Sequence, residues 1–189
     1  MGDTGFSVPA PKMDRFATAY MPDPETGALG VLDAGARGYW AQPPSFPDCS
    51  GGLVSSIEDV WRFASMLVDG GAAGSVRILR PETVRTMSFD RLTRAQREAA
   101  PMFLGPGESW GLGMAVPAND TERDVTGPGD APGRGIGWDG GTGCTWRSDI
   151  ARRVTGIMLT QRAVNSPEPP AHYVEFWRGV SDAIDPAAD

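Results

Sequence analysis

Between Ser55 and Gly71 the chain is patterned for one kind of element only. Ile57, Val60, Trp61, Ala64, Leu67 and Val68 recur at i, i+3, i+4 and i+7, the spacing that paints one side of a 3.6-residue helix. Ser55-Ser56-Ile57-Glu58 stands before the stripe as a capping box. In it the Ser55 hydroxyl and the Glu58 carboxylate each satisfy an otherwise orphaned amide. Gly70-Gly71 closes the run, because glycine accepts the left-handed turn that ends a helix. Such a helix must lay its apolar side on something, so the rest of the chain has to build a surface for it.

Two more helical stretches follow. Pro81, a good first-turn residue, opens one that runs through Val84 and Met87. Residues 93–100 form another, of poorer periodicity. The pattern then changes. Residues 110–116 alternate bulky side chains with glycine and alanine, as a strand with one crowded face would. A Gly/Pro loop occupies 126–135, and residues 144–150 and 154–161 read as an antiparallel hairpin turning at Ala151-Arg152. Tyr173, Phe176, Trp177, Val180 and Ile184 return to helical spacing. Helices first and strands after predict an α+β fold rather than an alternating α/β one. Residues 1–50 are loop-rich, with a short strand at 16–20 and a turn at 22–27; 51–105 are helical; 106–189 hold three antiparallel strands and the terminal helix. No repeat or linker divides them, and 189 residues suit a single domain.

Charge excludes some partners. A formal net charge of −7 with no basic cluster disfavours nucleic acid, which is gripped through a positive face. An anionic membrane surface is disfavoured for the same reason. No signal peptide and no spanning segment can be read in these residues, so cytoplasmic location is the default expectation. Cys49 and Cys144 with the single His172 make no metal-binding spacing. They read as two buried or half-buried thiols, with a disulfide between them as the alternative, and no cofactor is expected.

Five segments, in order, resemble the carboxy-terminal half of the serine β-lactamase-like hydrolases, a family of β-lactamases, D-aminopeptidases and carboxylesterases. They are Asp3-Thr4-Gly5-Phe6; Ser50-Gly51-Gly52-Leu53-Val54-Ser55-Ser56 continuing to Arg62-Phe63; Leu79-Arg80-Pro81-Glu82-Thr83-Val84; Trp110-Gly111-Leu112-Gly113; and Gly137-Trp138-Asp139-Gly140-Gly141-Thr142-Gly143. The resemblance implies the penicillin-binding-protein-like fold, of which 1–189 would be one partial domain. It also implies acyl transfer on an ester, amide or β-lactam.

That chemistry needs three motifs meeting at one cleft. Ser-x-x-Lys supplies an activated nucleophile. Tyr-x-Asn or Ser-x-Asn relays protons. Lys-Thr-Gly, or a His/Trp-x-Gly variant, supplies an oxyanion-hole amide from a strand. Lys12, the one lysine, has Pro9 three positions before it. Neither Tyr20, Tyr39 nor Tyr173 is followed by asparagine two residues on, and Asn119 and Asn165 follow Pro117 and Ala163 at that distance. So the first two motifs are absent from these residues. Trp138-Asp139-Gly140 fits the third, and the resemblance then puts the Gly141 amide at the oxyanion. Read without it, Gly140-Gly141 is simply a turn between strands. Tryptophan in place of lysine removes a cation that could hold a substrate carboxylate, which tilts the expected substrate towards esters.

Three other patterns compete. Gly107-Glu108-Ser109-Trp110-Gly111 spells a nucleophile elbow around Ser109, but an elbow runs from strand to helix. Here a loop enters and a strand leaves. His172, its one available base, opens the terminal helix, where exposure or capping is the ordinary role. Gly135-Ile136-Gly137-Trp138-Asp139-Gly140 matches a dinucleotide-binding string but leads into a strand composition instead of a helix. No pair of carboxylates is spaced for acid–base work. The expectations are therefore a hydrolase part that is inactive alone, with a non-catalytic interaction module as the alternative and a Ser109 hydrolase as the second. An uncovered sheet edge and helix face would pair with an amino-terminal half of the same fold or with another copy.

Overall fold

The computed structural model describes residues 1–119, 135–166 and 168–184. Of the Gly/Pro loop expected at 126–135, all but Gly135 lies outside the described residues. The class is α+β, with four helices and nine strands among the described residues. The chain divides into two compact units: residues 1–63, 139–145 and 157–166, and residues 64–138, 146–156 and 167–189.

The first unit opens with 3-10 turns at Ala10–Arg15. An antiparallel hairpin follows, β1 (Ala19–Pro22) and β2 (Leu29–Asp33). The strand expected at 16–20 thus starts three residues later, after the 3-10 segment has ended at Phe16. The Asp23 carboxylate organises the hairpin turn, accepting from the Thr26 N–H at 2.7 Å and from the Thr26 hydroxyl at 2.8 Å. This is the side-chain mimicry that makes aspartate a turn residue.

Helix α1 (Ile57–Val68) begins in this unit, and its cap differs from the expected one. The Ser56 hydroxyl accepts from the Asp59 N–H at 3.4 Å. Ser55 instead hydrogen-bonds Thr4 at 2.8 Å, and Glu58 pairs with Arg62 one turn on. The cap has moved by one residue and is no longer a box, because the Asp59 carboxylate faces inward to other donors. Asp59 is 1% exposed. It accepts from the Asp3 N–H at 2.7 Å, the Thr4 hydroxyl at 3.0 Å and Arg62 at 2.8 Å. The apolar stripe is also only partly covered: Ile57 and Trp61 are 52% and 54% exposed.

In the second unit, α1 ends with Ala64 and Leu67 buried. Gly70 and Gly71, at φ 63° and 93°, close it, the Gly71 N–H reaching the Met66 carbonyl at 2.8 Å. A small hairpin, β3 (Ala72–Ala73) with β4 (Val76–Arg77), leads to α2 (Pro81–Met87) and α3 (Arg94–Glu98). Thr93 and Gln96 form a reciprocal capping box on α3.

A sheet of five strands follows, in the order β5 (Glu108–Trp110), β6 (Ala115–Pro117), β7 (Ile136–Gly140), β8 (Cys144–Asp149), β9 (Val154–Met158). The single strand expected at 110–116 is in fact a hairpin, β5 antiparallel to β6. The chain reverses at Gly113, φ 86°, and the Gly111 N–H bonds the Met114 carbonyl at 2.9 Å. Alternating glycines mark the turn rather than a crowded face. β7 is the other strand that the pattern did not separate. Helix α4 (Ala171–Ile184) buries Tyr173 and Trp177. A methyl group on Gly156 would strike the Trp177 ring, so the ring lies directly on the β9 backbone. Covering a ring of that size contributes about 2–3 kcal/mol.

Candidate functional site

β7 ends at Gly140, and residues 141–143 turn the chain into β8. Gly140 and Gly141 thus do lie at a turn between strands. That turn is held from several sides. Gly143 donates to the Gly140 carbonyl at 2.9 Å. Gly143 is at φ 94°, and a β-carbon there would strike the Arg162 carbonyl and the Thr160 hydroxyl, so only glycine fits. The Thr160 hydroxyl donates to the Gly143 carbonyl at 2.6 Å, and the Val164 N–H to the Gly141 carbonyl at 3.0 Å. At the strand end, Thr145 donates its hydroxyl to the Asp139 carboxylate at 2.5 Å. Thr145 itself is 1% exposed.

What these contacts leave open is the Gly141 amide. Its N–H makes no hydrogen bond among the described residues. Nothing lies within 4 Å of where its β-carbon would stand. An unpaired N–H on an exposed glycine in a turn held on several sides can receive a developing negative charge with little reorganisation.

Trp138, the motif's first residue, sits on β7 half-buried. It meets Trp110 edge-to-face, with centroids 4.6 Å apart. Buried Arg147 pairs with Glu108 at 3.2 Å and also donates to the Trp146 carbonyl, so its charge is compensated.

Ser109 is fully buried on β5. Its hydroxyl donates to Asp90, and the chain continues into a strand turn instead of a helix. Asp90 also accepts from the Leu92 N–H at 2.9 Å, the Asn119 N–H at 3.1 Å and Arg97 at 2.8 Å. Burial alone would raise its pKa, but the Ser109, Asn119 and Leu92 donors and the Arg97 charge outweigh it and leave the pKa lowered. His172 is half-buried at the start of α4, edge-to-face with Tyr173.

The first unit holds a cavity of about 650 Å³ beside the Gly140–Gly143 turn. Phe6, Val8, Leu53 and Leu159 give it apolar walls, and Thr142 and Cys144 bring the turn to its edge. Asp3, also on the lining, is hydrogen-bonded by Lys12 at 2.5 Å and Arg15 at 2.9 Å, which together lower its pKa to about 2. Neither cation stands uncompensated there. Sequence reasoning placed the Gly140-Gly141 turn but missed Asp59, Asp90 and the Asp139–Thr145 bond. The only available signal for Asp59 was that Ser56 and Asp59 also satisfy the cap spacing. Cys49 and Cys144 are free thiols, and of the two expected to be buried or half-buried only Cys144 is, Cys49 being exposed on a loop. No group of three potential metal ligands occurs among the described residues, and no described helix is long and apolar enough to cross a membrane.

The Beta-lactamase family model matches residues 1–175. The chain belongs to that family. Protein Rv1367c of Mycobacterium tuberculosis (strain ATCC 25618 / H37Rv) is 36% identical over 169 residues, 85% of this chain and 40% of its own. The uncharacterized protein MT1414 of the strain CDC 1551 / Oshkosh matches to the same extent. Among solved structures, the LovD6 mutant of simvastatin synthase from Aspergillus terreus superposes with a TM-score of 0.70 at 20% identity, over 96% of this chain and 45% of that one. EstCE1, a hydrolase with promiscuous acyltransferase activity, gives 0.63 at 24% identity, over 94% and 45%. This β-lactamase-like chain therefore shares their fold, and it spans less than half the length of these relatives.

Proposed function

We propose that this chain supplies the oxyanion wall of a serine acyl-transfer enzyme, and that the attacking serine and its lysine lie on polypeptide outside these 189 residues. The observation that carries this reading is the free Gly141 amide, held at the end of β7 in a turn where glycine alone fits at position 143. Each well-placed donor to an oxyanion accounts for roughly 3 kcal/mol of barrier lowering in acyl transfer. Trp138 at the first motif position, with Arg147 already paired, favours a neutral ester over a carboxylate-bearing β-lactam. EstCE1, a hydrolase with promiscuous acyltransferase activity, shares the fold and works in the same broad chemistry.

The cavity beside the turn offers a seat for the missing segment on a separate chain with the amino-terminal half of the fold; a second copy could cover the same apolar surface but would bring no Ser-x-x-Lys. Exposed Ile57 and Trp61 supply further apolar surface. Alone, the chain is expected to hydrolyse neither a p-nitrophenyl ester nor a chromogenic cephalosporin. Mixed with the part of Rv1367c outside the match, it is expected to gain ester hydrolysis. Labelling of the isolated chain on one of its own serines by a fluorophosphonate would overturn the reading. The Ser109 alternative is disfavoured by burial: a hydroxyl committed to Asp90 in the interior has no path to a substrate carbonyl.

A further inference from the structure

The residue between Trp138 and Gly140 is an aspartate, and its carboxylate stands two positions before the Gly141 amide. Only two peptide units separate them, which keeps the carboxylate within about 8 Å of that amide whatever the shape of the turn, close enough to weaken an oxyanion held there. The side chain is not free to do so. Thr145, buried on β8, donates its hydroxyl to Asp139 at 2.5 Å across the start of the turn. Such a charge-assisted bond both orients a carboxylate and spreads its charge.

We propose that Thr145 is a positioning residue for the oxyanion site, holding the Asp139 carboxylate so that the Gly141 amide stays receptive to negative charge. This rests on the oxyanion reading above and adds to it a specific electrostatic device. The Val164 and Thr160 bonds fix the backbone of the turn; the Thr145 bond fixes where the nearest motif charge points.

The test uses methylphosphonate as an oxyanion mimic on the isolated chain, followed through the Gly141 amide resonance. The wild-type chain is expected to show saturable perturbation at Gly141. Thr145→Val takes away the hydroxyl that donates to the carboxylate and should weaken binding about fivefold. Thr145→Ser, which keeps the hydroxyl, should leave it unchanged. The double variant Thr145→Val/Asp139→Asn should return to wild-type affinity, because it removes the charge without restoring the bond. A purely structural role for Thr145 would predict no such rescue. If Gly141 responds in the wild type but Thr145→Val binds equally well, or the double variant stays weak, the positioning role is wrong while the oxyanion reading stands. If the wild-type Gly141 amide does not respond at all, both fall together.

Discussion

Two glycine-rich stretches, residues 107–113 and 137–143, read almost alike as strings, and the folded chain treats them in opposite ways. Each carries a strand into a tight reversal, with Gly113 and Gly143 at positive φ. In the first, the chemically interesting group is a hydroxyl, and the fold buries it: Ser109 ties β5 to Asp90, itself neutralised by Arg97 and two backbone donors. In the second, the interesting group is a backbone N–H, and the fold satisfies its neighbours while leaving Gly141 open. The difference teaches that a short motif states which atoms are available, whereas their solvent access decides whether they can react.

Substitutions can break that contrast, the largest effect being at Gly143. Gly143→Ala forces a side chain into left-handed backbone against the Arg162 carbonyl, and is expected to cost about 3 kcal/mol. Thermal denaturation should show this as a Tm fall of roughly 10 °C. Ser109→Ala comes next, at about 1–2 kcal/mol for a buried carboxylate deprived of one donor. In the mixed-chain ester assay its kcat should stay within about twofold of wild type, since the hydroxyl anchors rather than attacks.

The acid limb of stability follows from the same aspartates. Asp90, Asp59 and Asp3 all titrate below the ordinary carboxylate value in the folded chain. For Asp59, burial pushes upward and the Asp3, Thr4 and Arg62 donors prevail. A lowered folded pKa means the unfolded chain binds these protons more readily, so stability is complete above about pH 5, begins to fall near the ordinary carboxylate value and is lost as pH drops through the folded values. Melting temperature should be flat above about pH 5 and decline towards pH 2. Ser109→Ala removes a donor that holds Asp90 down, so the folded pKa moves back towards the unfolded value and the acid decline should be shallower, from a lower plateau. Smallest is Gly141→Ala: with nothing within 4 Å of the added methyl, the loss should stay under about 1 kcal/mol. A large destabilisation there, seen in a urea melt, would mean the turn is not open as described.

Helix α1 was legible because a 3.6-residue apolar repeat bounded by a cap and a Gly-Gly pair has one local solution. Helices α2 and α4 were legible too, from Pro81 at a first turn and from the spacing of Tyr173, Phe176 and Trp177, whereas the Thr93 box of α3 emerged only in the folded chain. The strands were less legible. Residues 110–116 look like one strand when glycine is taken as a small side chain, and become a hairpin once Gly113 takes positive φ. That choice shows in the pairing of Ser109 with Val116 and of Trp110 with Ala115, a tight hairpin whose local signal was the Gly-x-Gly at 111–113. The cap on α1 moved from Ser55 to Ser56 because Asp59 is drawn inward by Asp3 and Thr4, more than fifty residues away in sequence.

By itself the sequence determined the class of fold, the family, and the absence of Ser-x-x-Lys from these residues, since each depends only on local pattern or on residue identity. The tertiary structure alone decided that Ser109 is shut away, that the Gly141 amide is free and that Thr145 holds Asp139. Those are facts about which groups meet across long stretches of chain. Hydrogen bonds and burial depend on such meetings, and spacing along the sequence does not encode them.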